Sequence, residues 1–245
     1  MDTWPLAATS WLWPATLEEN LRRIARWELP IRQTALLFYQ HAPSLAYTPQ
    51  DIPALPGLSS HVHLPLDLPW ASGPRAVWDI VRSLMEGTAA PLSPWCGVLH
   101  PPAAPGDLAG LATLWRKCAP GWKLLVENIP GQDLHAHWPV IKDLDIPVCL
   151  DVGHLMAFGQ DWLLSMPDLA RRVELVHCYA PGDSFGSHEH LPLTRLTRGQ
   201  KTTLRAVFAQ LAPTTVILFE VFAESDLRAS LQTFYALKRK WRMTA

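Results

Sequence analysis

The segment Ile146-Pro147-Val148-Cys149-Leu150-Asp151-Val152-Gly153-His154 carries the clearest chemical pattern in the sequence. An apolar run that can be buried on both faces, typical of a strand in a parallel sheet, ends in an acid, and a histidine follows three residues later. Gly153 lets the backbone turn, so that His154 can return toward the carboxylate of Asp151. A carboxylate beside an imidazole favours a divalent metal ion, although Asp151 can also simply cap the next helix.

Similar polar residues stand at the ends of other apolar segments. They are His63, His100, Glu127, His177 and Glu220. The loop after His177 adds the sequence Ser187-His188-Glu189-His190. Each residue alone has a structural explanation, such as a satisfied histidine or a paired glutamate. With Asp151 and His154 they make nine oxygen or nitrogen ligands, enough for two or three metal ions if the fold brings them together.

The elements that must position these residues alternate regularly along the chain. The predicted strands cover residues 6–13, 31–39, 59–64, 95–99, 123–126, 146–151, 173–176 and 215–219. The predicted helices cover residues 16–28, 50–55, 74–85, 107–117, 134–144, 161–172, 199–211 and 225–241. Thr16 and Glu19 have the spacing of a capping box, and Pro74 suits the first turn of a helix.

Eight strands alternating with eight helices predict a single-domain α/β protein, a (β/α)₈ TIM barrel over residues 1–245, rather than a doubly wound sheet. The length of 245 residues is close to the roughly 250 typical of such a barrel. In this fold the C-terminal ends of all strands open on one face. The predicted ligands therefore become neighbours whatever their separation in sequence.

Composition limits the possible partners. The formal net charge is −1, with 21 Lys and Arg against 22 Asp and Glu, so no overall positive field gathers long nucleic acid. The sequence shows neither a basic leader segment nor an apolar run long enough to cross a membrane. We therefore expect a cytoplasmic protein. The four cysteines form no CxxC pair and are predicted to be reduced and structural. His41, His135 and His137 lie away from strand ends and are interpreted as surface groups.

Twelve tryptophans are a large number for this length, and most are expected to be core residues. Trp11, Trp13 and Trp70 differ because they lie at or after predicted strand ends, where their rings can line a pocket for a large ring-bearing ligand. Arg195 and Arg198 follow the His188 and His190 loop. They are either simple loop charges or groups that reach a substrate phosphate.

The order His, His, Glu, Asp-x-x-His, His, His-x-His, Glu resembles the xylose isomerase-like barrel superfamily, particularly its endonuclease IV branch of metal-dependent phosphodiesterases. The resemblance implies three metal sites, with Glu127, Asp151 and Glu220 as the catalytic carboxylates. One ion is implied at His63, His100 and Glu127. Glu127 is implied to bridge to a second ion held also by Asp151, His177 and Glu220. The third ion is implied at His154, His188 and His190. That branch has Asp-x-His where this chain has His188-Glu189-His190, which lowers the negative charge of the third site and leaves its occupancy open.

Three short segments are similar to cobamide-remodelling phosphodiesterases of the same superfamily, which hydrolyse the nucleotide-loop phosphodiester of corrinoid cofactors. They are Thr9-Ser10-Trp11-Leu12-Trp13-Pro14, His63-Leu64-Pro65-Leu66-Asp67 and Glu127-Asn128-Ile129-Pro130-Gly131. A neutral, tryptophan-rich chain suits a bulky small molecule such as a cobamide better than a nucleic-acid duplex. His and carboxylate ligands suit Zn²⁺, Mn²⁺ and Fe²⁺ alike, and we expect Zn²⁺ or Mn²⁺.

Two other functions are compatible with the same residues. A sugar isomerase or epimerase resembles this chain in Glu127, Asp151, His177 and Glu220 around a single metal ion, with two glutamates moving protons at carbon. A corrinoid-binding or metal-binding protein without turnover is the non-enzymatic alternative. His63 and His100 favour the hydrolase, because a second metal ion needs those imidazoles and an epimerase does not. The sequence leaves the oligomeric state open.

Overall fold

Eight parallel strands close into a barrel in chain order, with β8 hydrogen-bonded back to β1. This architecture is that of a computed structural model, which describes residues 4–241. The strands are β1 Leu6–Thr9, β2 Gln33–Leu37, β3 Ser59–His63, β4 Cys96–Leu99, β5 Lys123–Glu127, β6 Val148–Asp151, β7 Val173–Cys178 and β8 Val216–Phe219. The predicted (β/α)₈ barrel is confirmed.

Helices connect the strands on the outside of the barrel. They are α1 Leu17–Ala25, α2 His41–Leu45, α3 Pro74–Ser83, α4 Pro105–Cys118, α5 Trp138–Asp143, α6 Val152–Ala157, α7 Leu169–Arg172, α8 Arg198–Phe208 and α9 Glu224–Trp241. The Thr16 hydroxyl accepts from the Glu19 N–H, and the Glu19 carboxylate accepts from the Thr16 N–H. The predicted capping box is therefore confirmed, as is Pro74 in the first turn of α3.

The core has two layers. A large apolar cluster, including Trp78 and Trp122, packs the helices against the outer face of the barrel. A smaller cluster of small and aliphatic side chains fills the barrel itself. Five of its members come from the successive strands β4 to β8 and are Val98, Leu125, Cys149, Leu175 and Leu218.

The period of two along a strand determines where the polar residues lie. The residues two positions beyond those five interior members are His100, Glu127, Asp151, His177 and Glu220. A residue two positions further along a strand points to the same face, so each of these side chains is directed into the barrel mouth. His63 has the same relation to His61, which is completely buried. The interior packing and the polar cluster are therefore parts of one pattern.

Two predicted helices are wrong in position. Residues 50–55 form turns, and the short helix of this connection is α2 instead. Asp51 accepts hydrogen bonds from the N–H and hydroxyl of Thr48, and Pro53 cannot donate to a continuing helix. The predicted helix 161–172 is divided at Pro167 into a 3₁₀ segment, Asp161–Ser165, and α7. The helix that follows β6 directly is α6.

The four cysteines form no disulfide. Cys96, Cys149 and Cys178 are buried, while Cys118 is exposed. No helix within residues 4–241 is long and apolar enough to cross a membrane. The interpretation of His137 as a surface group is wrong. Its side chain is buried beside α5, with Nε2 lying 2.8 Å from the Pro102 carbonyl oxygen.

Candidate metal centre

Glu127, the last residue of β5, lies at the centre of the polar cluster and is almost completely buried. Its two carboxylate oxygens face different histidines. Oε2 lies 3.4 Å from His63 Nε2 and 3.6 Å from His100 Nε2. Oε1 lies 3.1 Å from His177 Nδ1 and 3.9 Å from His154 Nδ1. The carboxylate therefore stands between two sets of imidazoles.

Asp151 ends β6 and begins α6, so that one residue serves both the strand end and the helix cap. Its Oδ1 accepts from the His154 N–H at 2.6 Å, which is the capping role considered from the sequence. Its Oδ2 lies 3.3 Å from His154 Nδ1 and 3.8 Å from His177 Nδ1. Capping and membership of the polar cluster thus occur together, because the two oxygens are used separately.

Glu220, directly after β8, completes the ring of acids on the far side of His177. Its Oε2 lies 3.3 Å from His177 Nδ1 and 3.5 Å from His190 Nε2. The His190 ring stacks on Tyr179, with centroids 3.9 Å apart, and its Nδ1 lies 3.2 Å from the His188 carbonyl oxygen. These contacts direct Nε2 of His190 toward the acid.

Burial and the close packing of charges shift the pKa values of this cluster. Burial alone raises the pKa of Glu127 and of Glu220, but the charge of His177 outweighs it and holds both well below the usual range. Burial opposes protonation of His177, yet Cys149, Glu220 and Glu127 raise its pKa well above normal. Burial and the charges of Glu127 and Glu220 raise the pKa of Asp151 to about 6, despite nearby His154. Without a metal ion, protonated His177 therefore supplies the positive charge that balances the carboxylates of Glu127 and Glu220.

The polar cluster opens into a cavity of about 300 Å³, here called the metal cavity. Its polar lining consists of His63, His100, Glu127, His154, His190 and Glu220. Three exposed apolar or aromatic side chains, Tyr39, Leu66 and Phe222, complete the wall. No lysine or arginine of the described residues lines this cavity. Solvent and a small ligand can therefore reach the imidazoles and acids through an aromatic rim.

The donor set fits divalent metal ions. Four groups have ligand atoms within 4.8 Å of one another: His63, His100, Glu127; Glu127, Cys149, His177; Glu127, Asp151, His154; and Asp151, His177, Glu220. Buried Glu127 Oε2, Asp151 Oδ2 and His177 Nε2 have no hydrogen-bond partner within the described part of the chain. Buried polar atoms are normally paired, so unpaired carboxylate oxygens facing imidazoles are typical of a ligand set.

Comparison with known proteins gives no matching family model and no matching curated sequence. Solved structures do match. A protein from Thermus thermophilus soaked with ZnCl₂ is 24% identical, with a TM-score of 0.63, over 98% of this chain and 99% of that one. A xylose isomerase-like TIM barrel protein from Mycobacterium smegmatis in complex with magnesium is 14% identical, with a TM-score of 0.62, over 96% of both chains.

The closed (β/α)₈ barrel is the fold that this chain shares with these structures. A third match, a sugar phosphate isomerase/epimerase from Parabacteroides distasonis ATCC 8503, is 11% identical, with a TM-score of 0.57, over 99% of this chain and 96% of that one. These structural neighbours thus include an isomerase/epimerase, a protein soaked with ZnCl₂ and a complex with magnesium. At such identities the likeness concerns the fold.

Several of the residues singled out in the sequence lie away from the metal cavity. His188 is exposed, with its ring 5.2 Å from that of Phe158. Arg195 and Arg198 are exposed in a 3₁₀ turn and at the start of α8. No hydrogen bond or ion pair joins either guanidinium to the acids within residues 4–241. The structure thus brings together eight of the nine predicted ligands.

The three tryptophans selected from the sequence have different positions. Trp11 lines a second cavity beside the metal cavity, and Tyr39 and Leu66 belong to the walls of both. Trp13 donates from Nε1 to Glu224 Oε2 at 2.7 Å and packs on Trp27. Trp70 lies in a 3₁₀ turn, partly buried against the core. Neither Trp13 nor Trp70 lines these two cavities.

Sequence reasoning missed the residues that hold the ligands in place. Asn128 joins the ends of β5 and β6, because its Oδ1 accepts from the Asp151 N–H at 2.8 Å and its Nδ2 donates to the Asp151 carbonyl at 2.9 Å. The same Nδ2 donates to Gln160 Oε1 at 2.8 Å, and Gln160 Nε2 donates to the Ile129 carbonyl at 3.0 Å. An asparagine directly after a predicted strand-end acid was the available signal.

Tyr179 explains the glycine of the Asp-x-Gly-His segment. A Cβ on Gly153 would overlap the aromatic ring of Tyr179, which is buried. The same ring supports His190 by stacking. Gly153 is therefore needed for the close approach of Tyr179 to α6, and through Tyr179 for the placement of an imidazole. The sequence predicted a small residue here for a backbone turn, and the packing adds this second reason.

Proposed function

We propose that this chain is a metal-dependent hydrolase of a small phosphodiester. The observation that carries the proposal is the position of Glu127, whose Oε2 faces His63 and His100 while Oε1 faces His177. Such a carboxylate can bridge two ions about 3.5–4 Å apart, the separation that phosphoryl-transfer sites use. A single-ion site held by Oε1 does not need His63 and His100 beside Oε2.

The chain's own residues have distinct tasks in this proposal. His63, His100 and one oxygen of Glu127 would hold the first ion, and the other oxygen, with Asp151, His177 and Glu220, would hold the second. Bound divalent ions supply Lewis acidity at phosphate oxygens and lower the pKa of water. Asn128 fixes the orientation of Asp151, and Tyr179 fixes that of His190. His154 and His190 line the cavity beside these acids and can hold a third ion or a phosphate oxygen.

The proposed substrate is a compact, ring-bearing diester, with the nucleotide loop of a cobamide as the first choice. The absence of lysine and arginine from the described lining of the metal cavity supports this, because duplex binding relies on cationic contacts to many phosphates. The net charge of −1 supports it also. Tyr39 and Phe222 offer aromatic faces at the cavity wall, which suit a large ring system.

A substrate panel together with metal analysis tests the proposal. Purified protein is expected to contain Zn²⁺ or Mn²⁺ at two or more ions per chain and to release a cobinamide-type fragment from a complete cobamide. Abasic duplex DNA is expected to remain intact. Efficient nicking of the DNA while the cobamide stays intact would show that the substrate is DNA and not a cobamide. Interconversion of a ketose and its epimer, with one ion per chain, would support the isomerase alternative, in which Glu127, Asp151, His177 and Glu220 hold a single metal.

A further inference from the structure

A second cavity, here called the ring cavity, adjoins the metal cavity and has a volume of about 480 Å³. Its lining includes Trp11, Tyr39, Gln40, Tyr47, Leu66 and Asp67. Tyr39 and Leu66 also line the metal cavity, so the two spaces share a wall. Both volumes together lie within the range of about 300–1,000 Å³ typical of small-molecule sites. The ring cavity is therefore the neighbouring space for a substituent of a phosphate that lies in the metal cavity.

The walls of the ring cavity favour a planar ring. Trp11, Tyr39 and Tyr47 provide three aromatic side chains, and Tyr47 is itself held by stacking on Phe38, with centroids 6.0 Å apart and planes inclined by 30°. Flat aromatic side chains bind a planar heterocycle by stacking, at a low cost in side-chain entropy. The aromatic character of this lining is the first reason to expect a ring rather than a sugar or a flexible chain.

Charge limits the kind of ring. Asp67 is the ionisable side chain of the lining that is charged at neutral pH, and its carboxylate accepts from the His41 N–H at 2.8 Å and pairs with His41 Nδ1 at 3.0 Å. No lysine or arginine among the described residues belongs to the lining. A phosphate or carboxylate group would therefore be repelled, whereas a neutral or protonated ring with N–H donors can pair with Asp67 and with the Gln40 amide.

Trp11 has an unused hydrogen-bond donor. Its Nε1 atom is buried and has no partner within the described residues, although the indole N–H of a buried tryptophan usually finds one. The indole N–H of Trp13, two residues later, does have a partner, because Nε1 donates to Glu224 Oε2 at 2.7 Å. Because the Nε1 atom of Trp11 is closed to solvent, Trp11 offers the ring cavity the rest of its aromatic surface and not this N–H. The ligand class is then a flat ring whose donor nitrogens face Asp67 and Gln40.

We propose that the ring cavity binds the heteroaromatic base of the substrate, a purine-like or benzimidazole-like ring, while the phosphodiester of the same molecule lies in the metal cavity. The inference rests on the proposed function for the position of the phosphate. It adds the place in the fold, and the side chains, that hold the base of such a substrate. A phosphodiester without a heteroaromatic base would leave the ring cavity unfilled and would bind less tightly.

Binding of the free base tests the inference without any hydrolysis. The full metal-loaded chain is labelled with ¹⁵N at the tryptophan indoles, the Trp11 signal is assigned with Trp11→Phe, and adenine, benzimidazole or benzoate is added. The Trp11 indole signal is expected to shift saturably with adenine and benzimidazole and to stay unchanged with benzoate. The Trp13 signal, the matched control, is expected to stay unchanged throughout. An unchanged Trp11 signal, or equal binding of benzoate, overturns the inference.

Substitutions give a second measurement on the same probes. Trp11→Leu is expected to weaken adenine binding at least about tenfold, because stacking on one aromatic ring contributes about that much. Trp70→Leu removes a tryptophan that is partly buried against the core and lines neither cavity. It is expected to leave adenine binding within about twofold of wild type, because Trp70 does not contact the proposed position of the base. Equal losses in both variants would contradict the assignment. Adenine binding without cleavage of any phosphodiester would retain the ring cavity and refute the proposed hydrolase, so the two failures are distinguishable.

Discussion

The Oε2 atom of Glu127 lies 3.4 Å from the Nε2 atom of His63, whereas Oε1 of the same carboxylate is the atom that contacts His177, although the two imidazole rings themselves stack with centroids 5.9 Å apart. This contact joins the ends of β3 and β5, and the other oxygen contacts His177 of β7, which is two strands from β5 in the other direction. A carboxylate divided in this way between two groups of imidazoles suits two cations better than one. The first predictions follow from that division.

Glu127→Gln keeps the side-chain shape and removes the negative charge from the bridging position. We expect the metal content to fall below two ions per chain and phosphodiesterase turnover to fall at least about a thousandfold, since loss of a metal bridge removes several kcal/mol of transition-state stabilisation. Metal analysis and steady-state kinetics measure both. Glu86→Gln, which breaks only the exposed pair with Arg82, is the matched control and should behave as wild type. Turnover above about a tenth of wild type would make Glu127 a structural residue.

His100→Asn removes one imidazole from the Oε2 side of Glu127, 3.6 Å away, and leaves Asp151, His177 and Glu220 intact. We expect one ion to be lost and one to be retained at near wild-type affinity, as measured by titration calorimetry on metal-stripped protein. His135→Asn changes an exposed histidine outside the cluster and serves as control. Loss of all bound metal, or of none, would show that the ligands do not form two separable sets.

Gly153→Ala places a methyl group where the Tyr179 ring lies. Overpacking of this kind costs about 1–3 kcal/mol, because the ring must move and its neighbours with it. We expect a lower Tm and, since His190 stacks on Tyr179, weaker metal binding as well. Gly106→Ala, in α4, meets open space and is the control. A Gly153→Ala protein as stable as wild type would refute the packing role assigned to Tyr179.

His61 predicts a pH dependence of stability. It is completely buried, neither ring nitrogen has a partner within the described residues, and burial together with the positive charges of His177 and His63 lowers its pKa to about 3. The unfolded chain takes up a proton below about pH 6.5, and the folded chain does not. Protonation therefore favours the unfolded state, and the contribution of His61 to stability is lost as the pH falls from about 6.5 toward about 3.

The measurement compares wild type with His61→Leu by denaturant unfolding of metal-stripped protein. Between about pH 7 and pH 5 the wild type should lose about 2 kcal/mol more than the variant, which has no titrating group at this position. His135→Leu, at an exposed position, should follow the wild-type curve closely. A variant that loses as much stability as wild type over this range would show that His61 is protonated in the folded state.

The barrel and most of the polar cluster followed from the sequence because two simple periodicities agree. Apolar segments alternate with helices along the chain, and strand-end residues such as Glu127 and His177 continue the inward-facing alternation of Leu125 and Leu175. A barrel then brings these ends together without further information. The capping box at Thr16 and the proline at the start of α3 are equally local signals, and both were correct.

Non-local packing decided what the sequence did not predict. Asn128 acts through hydrogen bonds to Asp151 and Gln160, which lie 23 and 32 residues away, and no local pattern announces such partners. The neighbours of His137 in sequence resemble a surface loop. Its side chain is nevertheless buried, with Nε2 in hydrogen-bond contact with the carbonyl oxygen of Pro102, 35 residues away. The ring cavity depends on α2, whose position was mispredicted because Pro43 lies inside this five-residue helix and obscures its helical signal.

Anomalous diffraction from crystals of the metal-loaded protein tests the central claim most directly, because it locates each ion relative to Glu127. We expect two peaks about 3.5–4 Å apart, each bound by a different oxygen of Glu127, with His63 and His100 on the first ion and His177 on the second. One peak bound by Glu127, Asp151, His177 and Glu220, with His63 and His100 free of metal, would contradict it.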